Sequence, residues 1–184
     1  MPTRRDWLKG AAGLLVFDAH AQGRLEQGIR DRSGDVRVGG DRIQTGADGR
    51  LIIVVGRDVM LVRRSSSLNV LANGFRLVTG AVLTVFSPGR SRQLTTPTAT
   101  IGIRGTAVYV EAERARTYVC TCYGETVLEP ADDPKAAERV RPARRHGEPR
   151  FIAASGTPRM VAPAPMRNHT EAEIELLESL RGRR

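Results

Sequence analysis

The 184-residue chain has only two cysteines, three histidines and one tryptophan, and no uninterrupted apolar stretch approaches 18 residues. So few thiols exclude a small secreted scaffold framed by several disulfides, and the short apolar runs exclude a membrane anchor of ordinary length. Lysine is nearly missing as well. Of 29 basic residues only Lys9 and Lys135 are Lys, so arginine carries the net charge of +9. A phosphate-binding surface normally draws on both types, and the excess reads as compositional bias with no nucleic-acid partner implied. Catalytic signatures are absent too: there is no Gly-x-Ser-x-Gly, no His-Glu-x-x-His, no glycine-rich phosphate loop between a strand and a helix. The expectation is a protein that is not an enzyme and needs no cofactor. What remains is 40% hydrophobic and 27% charged residues, an ordinary globular composition at a length suited to one domain with appendages.

The amino end has the order of an export signal. Arg4, Arg5 and Lys9 form a charged start, Gly10 to Phe17 an apolar run, and Ala19 and Ala21 offer small side chains at the two positions a signal peptidase reads. The run spans about 12 Å as a helix, far short of the roughly 30 Å of a bilayer's hydrocarbon. Arg4-Arg5 within Thr-Arg-Arg-Asp-Trp-Leu-Lys resembles the twin-arginine signal, with Trp7 where phenylalanine is usual. Residues 1–21 are therefore expected to be removed. The mature protein is expected in the bacterial periplasm, without stable insertion in the membrane.

From Asp35 to Glu129 the apolar runs are brief, rich in Val, Ile, Leu and Thr, and broken by turn signals such as Gly39-Gly40, Gly56-Arg57-Asp58, Asn73-Gly74 and Ser87-Pro88-Gly89. Turn signals every 8 to 12 residues or so predict an all-β sandwich or roll, with no helix before Pro130. Leu51 to Val55 reads as a strand buried on both faces, whereas Val82 to Phe86 reads as mixed.

The segment from Leu94 to Val110 contains Thr96-Pro97-Thr98-Ala99-Thr100-Ile101-Gly102-Ile103-Arg104-Gly105-Thr106. This resembles the signature of the FecR-type domain, Thr-Pro-x-Ala-x-x-Gly-x-Arg-Gly-Thr followed by an alternating strand. Arg42 to Arg50 resembles the family's strand and glycine turn upstream, and Gly124-Glu125-Thr126-Val127 its closing strand. The resemblance implies a FecR-like β domain over residues 28–130. Full-length FecR proteins add a cytoplasmic anti-sigma segment and a transmembrane helix, and neither is expected here. It further implies a binding or signal-relay module of the cell envelope, whose partner is an envelope protein or cell-surface component.

The motif also has a physical reading of its own. Pro97 holds Thr96 extended and cannot donate a ladder bond. Gly102 and Gly105, on either side of Ile103-Arg104, suit a tight reversal. Arg104 could then hold carbonyl groups at a strand crossing, and Thr95, Thr96, Thr98 and Thr100 read as β-branched strand residues whose hydroxyls could satisfy nearby backbone. A structural role is therefore expected for the motif residues Thr96, Pro97, Gly102, Arg104, Gly105 and Thr106.

Cys120 and Cys122 stand two apart in a probable strand and so project to one face. Their Cα atoms would be about 6.5–7 Å apart, at the edge of what a disulfide tolerates. Three readings stay open: inert structural thiols, a strained disulfide, or a metal or haem-iron site in which His146 joins them as a three-ligand set at best. That last reading is the alternative function, a metal-associated periplasmic protein. Glu111 with Glu113 reads as a strand's solvent face, and Asp132 with Asp133 as a turn.

Residues 131–168 form a Pro- and Arg-rich extension of loop or edge, in which Phe151-Ile152-Ala153 can add a short strand. Residues 169–182 are expected to be a helix, opened by the capping box Thr170-Glu171-Ala172-Glu173, striped by Ile174, Leu177 and Leu180, and closed by Arg181 and Gly182. A helix so short must dock on something to persist, first of all on its own β domain.

Overall fold

The structure, a computed structural model, describes residues 25–154 and 159–181. The export-signal residues Arg4, Arg5, Ala19 and Ala21, and the expected helix stop Gly182, lie outside them. The described part is all-β, with thirteen strands hydrogen-bonded into one sheet. The early strands are β1 (Ile29–Ser33), β2 (Val36–Gly39), β3 (Arg42–Thr45), β4 (Arg50–Val55), β5 (Asp58–Val62) and β6 (Ser67–Leu71). Three long strands follow, β7 (Gly74–Val85), β9 (Ala99–Ala112) and β10 (Arg116–Pro130), with the short β8 (Ser91–Thr95) between the first two. The extension adds β11 (Glu138–Val140), β12 (Arg150–Ala153) and β13 (Val161–Pro163), and ends in the helix α1 (Glu171–Leu180).

The long strands bend the sheet over itself by changing partners part-way. The first half of β7 pairs with β6 and, in parallel, with β8, while its second half pairs with β5 and β9. The changeover falls at Gly80, whose φ is +88° and whose missing Cβ would stand 2.2 Å from the Ser66 hydroxyl, so only glycine fits. In β10 the irregular pairing between Thr121 and Glu125 contains Gly124, at φ +83°. Gly105 takes the corresponding place in β9, at φ +51° between the residues facing β8 and those facing β7. The tight reversal expected at Gly102 and Gly105 is thereby corrected. Because β9 keeps pairing with β10 along almost its full length, the chain bends at Gly105 and continues, and Gly102 lies in ordinary strand backbone.

Bending creates an inside and an outside, and both are apolar. Inside, Ile43, Leu68, Phe75, Leu77, Leu94 and Ile101 from one half meet Leu51, Ile53, Met60, Val62, Val82 and Val110 from the other. Outside, Ile52, Val59, Leu61, Leu83, Val85, Tyr109, Tyr118, Cys120 and Cys122 form a second buried cluster, closed over by Ile174 and Leu177 of α1. Alternate residues of β4, β5, β7 and β9 thus enter two different cores, which explains their unbroken apolar runs. Val82 to Phe86, read as mixed, is buried throughout for this reason.

Packing also overrides the expectation of no early helix. Residues 25–28 are helical, held by Leu25 in the inner core. The capping box of α1 forms as its sequence predicts: the Thr170 hydroxyl accepts from the Glu173 N–H, and the Thr170 N–H donates to the Glu173 carboxylate at 3.0 Å. The helix docks on its own domain against β5 and β7. Ile174 and Leu177 each gain roughly 1.5–3 kcal/mol from burial there. Among the described residues no helix is long and apolar enough to cross a membrane.

Candidate metal centre

Strand alternation puts Cys120 and Cys122 side by side on the outer face, and both are fully buried, free thiols. Two stretches of the extension cross above them. The turn at residues 144–147 carries His146, whose backbone N–H donates to the Cys122 carbonyl at 3.1 Å. The segment leading into α1 carries His169, 4% exposed and stacked on Tyr109 with ring centres 4.4 Å apart.

The result is a four-residue cluster whose ligand atoms all lie within 4.8 Å of one another. Cys122 Sγ is 3.4 Å from His169 Nε2, Cys120 Sγ is 3.7 Å from His146 Nδ1, and the two ring nitrogens are 3.0 Å apart. To the expected Cys120, Cys122 and His146 the structure adds a fourth residue, His169. His169 is the residue that was missed, because it follows Cys122 at a long distance along the chain and only the docking of α1 returns it.

The outer nitrogens of both rings are engaged. His169 Nδ1 lies 2.7 Å from the Arg167 carbonyl and His146 Nε2 lies 3.0 Å from the Glu171 carboxylate, and both partners can only accept. In the neutral rings the outer nitrogens therefore hold the protons, and both inner nitrogens present lone pairs toward the sulfurs.

Electrostatics within the cluster are uneven. The Cys120 thiol is pulled down, first by the hydrogen bond from Cys122, against the effect of burial. Cys122 moves up, because it holds the proton it shares with Cys120 and is itself desolvated. Tyr109 is pushed up by burial and by its bond to the Glu111 carboxylate at 2.8 Å.

Glu111 is expected on a strand's solvent face. It is instead nearly buried, accepting from Tyr109, from Asn168 Nδ2 at 2.6 Å and from Arg167, because the extension lies over this part of β9. Glu113 does remain exposed, paired with Arg116 at 2.8 Å. Arg167 spans the aromatic rings of Tyr118 and Phe151, and Arg63 holds both the Asn168 carbonyl at 2.9 Å and the Glu173 carboxylate at 2.8 Å. These contacts fix the residues on either side of His169.

The fold is similar to that of a crystallised "putative anti-sigma factor" from Parabacteroides distasonis. Two crystal structures of it each align with a TM-score of 0.56 and 12% sequence identity, over 76% of this chain and 73% of that one. No family model and no curated protein matches the chain. At that identity the similarity concerns the fold, and the chemistry of this chain must be read from its own side chains.

The residues of the Thr-Pro…Arg-Gly-Thr motif stand apart from the cysteine cluster in chemistry. Pro97 is exposed in the turn between β8 and β9, and the Thr96 hydroxyl accepts from the Ala99 N–H at 3.0 Å while bonding Thr117 at 2.6 Å. Thr106 is buried and donates to the Ala107 carbonyl. Arg104 is exposed and, contrary to expectation, donates to no carbonyl among the described residues, since its place on the outside of the bend turns it to solvent. An open groove of about 840 Å³ adjoining the cluster at Tyr109 and Asn168 is lined also by Asp48, Arg50, Arg63, Arg64, Glu111 and Glu113.

Proposed function

We propose that this chain is an exported, FecR-like module of the bacterial cell envelope that works by binding another envelope component, and that it is not catalytic. The observation that carries the reading is the bent, all-β fold shared with the Parabacteroides distasonis protein, on a chain whose central motif has the FecR pattern. The groove beside Arg63 and Arg64 supports it. It is open and bears guanidinium groups next to carboxylates, a surface suited to a polar protein partner.

The test is site-specific photo-crosslinking in a producing bacterium, combined with intact mass of the recovered chain. A start at Gln22 and a discrete adduct from a crosslinker at Arg64, without one from Arg90, are the expected results. A full-length cytoplasmic chain, or the same adducts from both positions, would overturn the reading.

A further inference from the structure

The cluster on the outer face has features that thiols packed only as core residues would not need. Two imidazole nitrogens that face each other as lone pairs at 3.0 Å repel unless an electrophile stands between them. Both rings are fixed in that orientation by acceptors behind them, the Arg167 carbonyl and the Glu171 carboxylate, which is how metal-binding histidines are commonly held. Backbone geometry agrees. Among the described residues only Ser65, His146 and Asn168 are non-glycine residues at positive φ, and the last two, each at 58°, are a cluster member and the neighbour of another. Such conformations are costly and tend to persist where surrounding structure fixes a functional side chain.

We propose that Cys120, Cys122, His146 and His169 bind one zinc ion tetrahedrally, and that the ion clasps the carboxy-terminal extension onto the sheet. Zinc with sulfur ligands at about 2.3 Å and nitrogen ligands at about 2.0–2.1 Å places those atoms roughly 3.3–3.8 Å from one another. The separations of 3.4, 3.7 and 3.0 Å already lie near that range. Two sulfurs and two nitrogens around one point suit zinc better than harder ions, and donors converging within 4.8 Å leave no room for a haem plane. Charge balances as well. With the rings neutral, two thiolates cancel the dication, so the occupied site carries no net charge on the buried face. With four protein ligands the site is closed, as in structural zinc sites.

The site bridges two units. Cys120 and Cys122 belong to β10, whereas His146 and His169 belong to the extension, so the ion couples the helix-bearing tail to the sheet. This inference goes beyond the binding-module reading and does not depend on it.

The test strips the purified full chain with a chelator and adds back zinc or cobalt(II). Native mass spectrometry is expected to show one zinc per chain, and the cobalt form the absorption of a tetrahedral site with thiolate charge-transfer bands. Replacing both cysteines, Cys120→Ser with Cys122→Ser, should abolish binding. Because serines on a buried face can disturb folding, Glu171→Gln serves as the second variant. It is no ligand, and loss of its charge behind His146 should weaken zinc affinity about 10–100-fold with the circular dichroism of the sheet unchanged. Amide exchange in α1 should slow by up to about 100-fold with zinc at a hundred times its Kd. Absence of a bound ion, an octahedral cobalt spectrum, or zinc retained by the double-serine variant would overturn the site. Zinc bound with no change of exchange in α1 would overturn the clasp. The crosslinking at Arg64 and the intact mass are read on the unaltered chain without adding or removing metal, so the two readings fail separately.

Discussion

Gly80 shows how one residue can set the shape of the sheet. At φ +88° and with Ser66 against it, a methyl group there meets both a backbone penalty and a clash. Gly80→Ala is expected to cost roughly 2–5 kcal/mol, combining a left-handed penalty with overpacking, visible as a lower urea midpoint at unchanged slope. Asp58 is a second sensitive position. Its side chain is 3% exposed, accepts from the Ser87 N–H at 2.9 Å and pairs with Arg92 at 2.8 Å. Asp58→Ala leaves a mostly buried guanidinium and an amide without their partner, and should cost about 3–5 kcal/mol in the same titration. At this scale the sequence was readable where the rule is local. Cys120 and Cys122 share a face because strand side chains alternate, and Thr170 with Glu173 close a cap because helix geometry brings them together. His169 and Glu111 were not readable, because what surrounds each is a segment distant along the chain.

Among the elements, α1 is the one whose stability depends most on docking. Its ten residues are too few to hold a helix alone in water, so Ile174 and Leu177 against the outer face are what keep it. Leu177→Ala should cost about 2–5 kcal/mol and Thr170→Ala about 1 kcal/mol. Both losses are expected to appear first as faster amide exchange in α1, with Val110 and Met60 of the inner core protected until higher denaturant, the pattern of a unit that opens separately. Uniform loss of protection through both cores would show instead that extension and sheet unfold together. The helix and its cap were legible in the sequence through the spacing of apolar residues. Its seat was not, since the face it covers is spread over several strands that only topology places side by side. The strands were legible in kind but not in continuation: Gly105 looked like a turn because glycine marks both turns and bends, and only the unbroken pairing of β9 with β10 distinguishes them.

For the molecule as a whole, stability is expected to follow the supply of metal. Zinc at a hundred times its Kd adds about 2.7 kcal/mol to the folded state, and for a chain of this length each kcal/mol moves Tm by about 2–4 °C. A rise of about 5–10 °C on adding zinc to stripped protein, reversed by chelator, is therefore expected in calorimetry, and a Tm indifferent to both would contradict it. The all-β class was legible from composition and turn spacing. The double core was only partly so, because runs such as Leu51 to Val55 announce burial on two faces but not what lies on the second.

The covered outer face also bears on descent. A domain with the same sheet but without the tail would expose the positions of Ile52, Val59, Leu61 and Leu83 to water, and its strands there should alternate polar with apolar residues. The cysteine pair would have no histidines to meet. Paired cysteines on the tenth strand, an unbroken apolar outer face and two distant histidines are physically coupled, and relatives are expected to keep the set whole or to lack all of it.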